Sequence, residues 1–125
     1  MGETETKRAQ QLYAEGAFAE AAQVLSDAIG EAETSTLWND WGVVQFALRE
    51  MLDAERAFRR ALTLDPACSD AAANLAGLLI GVGHTQEAVP FLKRALETAV
   101  DPQRAILANL LTRCGEALPV TSHSE

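Results

Sequence analysis

The side chains best suited to recognition chemistry in this chain are two asparagines in matching settings, Asn74 in Ala73-Asn74-Leu75 and Asn109 in Ala108-Asn109-Leu110. A carboxamide donates and accepts hydrogen bonds at once, so such a pair can hold the peptide groups of an extended ligand. Groups for catalysis are scarcer. His84 falls in an expected turn and His123 near the C-terminus, and neither has the rigid setting that a general base needs. Cys68 and Cys114 stand 46 residues apart, with no third cysteine and no histidine at ligand spacing, and read as free structural thiols rather than a disulfide framework or zinc site. There is no glycine-rich phosphate loop, nucleophile elbow or His-Glu-x-x-His. The expectation is a protein without enzymatic activity, cofactor or metal. Trp38, Trp41, Phe46 and Phe58 are expected to pack between helices rather than line a ligand pocket.

The elements that must position these residues are constrained by composition. At 125 residues, 48% hydrophobic and 22% charged, the chain is expected to make one folded domain. Ten Lys and Arg against eighteen Asp and Glu leave a net charge of −8, the wrong sign for a nucleic-acid backbone or an anionic membrane surface. No apolar run is long enough for a membrane span or a secretory signal, so the expected compartment is the cytoplasm.

One pattern occurs three times: Ala21-x3-Leu25-x2-Ala28, Ala54-x3-Phe58-x2-Ala61 and Ala88-x3-Leu92-x2-Ala95. The steps are 33 and 34 residues, and the turn positions Gly16, Arg49 and Gly83 keep them. Such periods mean stacked supersecondary units, each too small to bury its apolar face alone. Within each unit the apolar spacing is helical, as in Leu37, Trp38, Trp41, Val44 and Leu48, then Ala54, Ala57, Phe58, Ala61 and Leu62. Asp65-Pro66 and Asp101-Pro102 separate units, since proline suits the first turn of a helix and moves the preceding residue out of helical torsions. Thr85 is expected to cap the helix after the Gly83 turn. Helices are expected at 4–15, 18–30, 36–48, 53–64, 69–81, 86–98 and 103–117, with no strand. In the last, Ile106, Leu107, Leu110, Leu111, Cys114 and Leu118 form one apolar arc ended by Pro119, and 119–125 is expected to be a flexible tail.

Residues 35–68 carry Trp38-x2-Trp41-Gly42-x2-Gln45, Ala54-x3-Phe58, Ala61 and Pro66, which resembles the tetratricopeptide repeat signature. Trp41, Gln45 and Arg49 depart from it. The resemblance implies an all-α solenoid of stacked antiparallel helix pairs with a right-handed superhelical twist. Its repeats would be 2–34, 35–68 and 69–102, with a capping helix at 103–118, all in one domain over 1–118.

The resemblance also implies a concave groove lined by the first helix of each pair. Its positions fall on Lys7 and Gln10, on Asn39, Asp40 and Val43, and on Asp70, Ala73, Asn74 and Gly77, with Asn109 extending the row. Some family members clamp a C-terminal carboxylate with Lys, Arg and Asn. At the matching places this chain has Thr6, Gln10, Asp40, Asp70 and Asn74, so the cations are missing and a neutral to basic segment is favoured. Residues 1–34 carry two positive and seven negative side chains, a net of −5 that would steer a cationic partner. Arg59-Arg60 and Lys93-Arg94 recur on the opposite face and read as solvated, with Glu55 and Arg59 an ordinary helical pair. The reading is a non-catalytic protein-binding scaffold. The alternatives are a homodimer made by stacking terminal helices, and a targeting module belonging to a larger enzyme.

Overall fold

The computed structural model describes residues 2–115, with the side chains described from residue 4. Among these residues there are seven helices and no strand: α1 (Gly2–Ala14), α2 (Phe18–Glu31), α3 (Ser35–Ala47), α4 (Met51–Leu64), α5 (Ser69–Gly81), α6 (Thr85–Leu96) and α7 (Gln103–Arg113). None is long and apolar enough to cross a membrane. Among the described residues they form two compact units, one up to Asp65 and one from Pro66 onward.

In the N-terminal unit α2 packs on α1 and α3, and α3 pairs with α4. The repeated small residues do the close packing: Ala21, Ala54 and Ala61 are fully buried, and Leu25 and Phe58 fill the space beside them. Gly42 is a point of closest approach, lying against Phe58 and Ala57 of α4. In the C-terminal unit α5 packs on α6 and both meet α7. Ala88 and Ala95 are buried there with Leu75, Leu79, Leu92, Leu107 and Leu111.

The same backbone device ends the first helix of every repeat. Gly16, Arg49 and Gly83 have φ of 81°, 68° and 87°, and the residue after each donates back five positions: Ala17 N to Leu12 O (2.8 Å), Glu50 N to Gln45 O (2.8 Å) and His84 N to Leu79 O (2.7 Å). This is the left-handed closure that satisfies the last helical carbonyls, and it suits glycine because glycine has no β-carbon to clash. Arg49 adopts it without that advantage.

Four expectations need correction. Thr85 does not cap α6: His84 holds the cap position with no side-chain bond, because its N–H already closes α5 and sets the helix start. A side-chain cap occurs instead at Thr34, whose Oγ1 accepts from Leu37 N at 3.1 Å. Phe46 is 49% exposed, since Gln45 and Val44 occupy the buried side of α3 and the next residue turns about 100° away. Ile106 is likewise 50% exposed beside buried Leu107 and Leu111. Finally, α7 ends at Arg113 rather than near 117, with Gly115 at φ 81° just beyond it. Leu118, Pro119, His123 and the expected tail lie outside the described residues.

Candidate functional site: the hollow of the N-terminal unit

The first helices of the two repeats in the N-terminal unit, α1 and α3, enclose a hollow of about 220 Å³. Three expected groove residues, Gln10, Asp40 and Val43, line it together with Ala9, Tyr13, Leu25 and Val44. Helical spacing explains the convergence. Ala9, Gln10 and Tyr13 share one side of α1, Asp40, Val43 and Val44 share one side of α3, and Leu25 of α2 supplies the floor. The wall is therefore mostly apolar, with one carboxamide and one carboxylate.

Tyr13 lines the hollow although the groove positions read from the sequence do not include it. Its ring lies 5.2 Å from that of Phe18, tilted by 55°, and the residue is 40% exposed. A signal existed: steps of 33 and 34 from Tyr13 lead to Phe46 and Ile80, an apolar residue at the end of each first helix.

The other expected positions are placed as follows. Lys7 is exposed one turn before Gln10 and is not part of the lining. Asn39 is 7% exposed, because its i, i+3, i+6 spacing with Gly42 and Gln45 puts it on a buried side of α3. In the C-terminal unit Asp70, Asn74 and Gly77 follow i, i+4, i+7 spacing along α5, with Asn74 half-buried and the other two exposed. Ala73 is half-buried, and Asn109 is exposed on α7, which packs on α5.

A polar junction braces the N-terminal unit. Glu33, in the link between α2 and α3, accepts from Trp38 Nε1 (2.7 Å) and from Arg60 of α4 through both oxygens (Nε 2.9 Å, Nη2 2.9 Å). Trp38 in turn meets Trp41 edge to face at 5.9 Å. The hydrogen bonds from Arg60, then that from Trp38, hold the Glu33 carboxyl well below its ordinary range, at about 2. Glu55 and Arg59 form the expected pair at 3.0 Å. Among the described residues no His, Cys, Asp and Glu cluster has the makings of a metal site.

No curated protein sequence matches the chain significantly. Among solved structures, it is similar to the TPR2B domain of yeast Sti1 in complex with pHsp70, with a TM-score of 0.79 and 16% identity over 90% of this chain and 94% of that one. The second TPR domain of human RPAP3, in complex with the HSP70 peptide SGPTIEEVD, gives a TM-score of 0.74 and 18% identity over 90% and 93%. The Hsp90 co-chaperone Cns1 from Saccharomyces cerevisiae gives 0.73 and 19% over 90% and 38%. These likenesses show an all-α solenoid fold, and the tetratricopeptide repeat family model matches residues 46–114, more than half of the 125 residues. The chain belongs to the tetratricopeptide repeat family.

Proposed function

We propose that the chain is a non-catalytic interaction scaffold that binds a neutral to basic peptide or partner segment along the first-helix faces. The observation that carries this reading is the hollow itself, where Gln10, Asp40 and Val43 come together on a largely apolar wall. The similar structures of Sti1 and RPAP3 hold Hsp70-derived ligands, and the RPAP3 peptide SGPTIEEVD is acidic. Asp40 and Asp70 would repel such a ligand, and the net charge of −8 supports the opposite sign of partner. Asn74 and Asn109 would hold the segment's backbone.

A peptide-display screen followed by two variants tests this. Asn74→Ala is expected to weaken every selected peptide by about 0.5–1.5 kcal/mol with little salt dependence, the usual net value of a neutral hydrogen bond. Asp40→Lys is expected to weaken basic peptides selectively, with an effect that fades as salt rises. Selected peptides that bind both variants like the parent would overturn the groove as the binding surface.

A further inference from the structure

The hollow between α1 and α3 has a narrower chemistry than a general peptide groove. We infer that it seats one cationic side chain of the bound segment, arginine in preference to lysine; this deepens the groove reading and rests on it. Its volume of about 220 Å³ lies below the ~300 Å³ at which small-molecule pockets begin, and suits a single side chain. Ala9, Leu25, Val43 and Val44 offer an apolar sleeve, while Asp40 supplies the negative charge and Gln10 a further acceptor. A long basic side chain matches that order of surfaces, with its methylene stem against the sleeve and its charge at the carboxylate.

The alternatives fit less well. An acidic side chain would meet a like charge, and a purely apolar one would make no use of the carboxylate and carboxamide that line the hollow. Arginine is favoured over lysine by Tyr13, whose partly exposed ring lines the hollow. A guanidinium stacks on an aromatic face and is more weakly hydrated than an ammonium. Lys7 and Arg8, the cations of α1, are not among the residues that line the hollow, and residues 1–34 as a whole carry a net charge of −5.

The test is an NMR titration of the isotope-labelled full chain with the amides of N-acetyl-arginine, N-acetyl-lysine and N-acetyl-norleucine. The arginine amide should shift the backbone signals of Ala9, Tyr13, Val43 and Val44 at millimolar concentration, the lysine amide less, and the norleucine amide hardly at all. Asp40→Asn should weaken the arginine amide about tenfold, the scale of one hydrogen bond to a charged group. Gln10→Lys, which sets a repelling cation on the exposed rim without touching the core, should weaken it as well. Norleucine binding as well as arginine, shifts scattered away from the hollow, or indifference to both variants would overturn the inference. Displayed peptides that bind with no need for a basic residue would overturn the seat and leave the groove standing. An arginine amide that fills the hollow while no peptide binds would do the reverse.

Discussion

A β-carbon on Gly42 would stand 2.6 Å from Cε1 of Phe58 and 2.9 Å from its Cδ1. Phe58 is buried in α4, so the absence of a side chain at Gly42 is what lets α3 and α4 pair at this distance. Gly42→Ala is therefore expected to destabilise the chain by about 1–3 kcal/mol, the usual result of overpacking. Gly77→Ala is the contrasting case, because a β-carbon there meets nothing within 4 Å and the residue lies inside α5. It should stabilise by about 0.5–1 kcal/mol through helix propensity alone. Urea denaturation of the two variants checks the opposite signs.

Arg49 takes a φ of 68° where the equivalent positions hold Gly16 and Gly83. A left-handed non-glycine residue costs about 1–2 kcal/mol, so Arg49→Gly is expected to stabilise by about 1 kcal/mol once glycine's greater unfolded freedom is subtracted. A thermal melt should move up by a few degrees, whereas Gly83→Arg should move it down.

Pro90 lies inside α6, past its first turn, where it removes a backbone donor and crowds the carbonyl of Gln86. The side chain is exposed, and the matching residue of the preceding repeat is Arg56. Pro90→Ala should raise stability by about 1–3 kcal/mol, because nothing packed is lost and a helical hydrogen bond is restored. The gain should also appear as slower amide exchange along α6.

Glu33 gives the chain a pH dependence with a definite sign. Its carboxyl is held at about 2 in the fold, against an ordinary value of 4.5, by Arg60 and then Trp38. A depressed folded value contributes stability that is fully present above the ordinary value and is lost as pH falls through the folded one. The stability difference between the parent and Glu33→Gln should therefore be constant near neutrality and shrink between about pH 5 and pH 2. Because the pair is solvent-exposed, the difference should be modest and should fall with added salt.

The sequence by itself determined the elements and their order. The 33- and 34-residue steps of small and apolar residues, with Asp65-Pro66 and Asp101-Pro102 as punctuation, lead to seven helices within a few residues of the observed bounds. Helical periodicity is a local property, and it survives in the order of residue types. What it cannot decide is the orientation of each stripe, since one residue is a rotation of about 100°. For that reason Phe46 and Ile106 read as core and are half exposed, while Asn39 reads as groove and is buried. The torsion of Arg49 was also undecided by residue type, because a left-handed turn competes there with one more residue of helix. Packing chose the turn, since the close pairing of α3 with α4 needs the chain to reverse at that point. The hollow is the clearest product of tertiary structure alone. Gln10 and Asp40 are 30 residues apart, and they line one surface only because α1 and α3 come together with α2 beneath them.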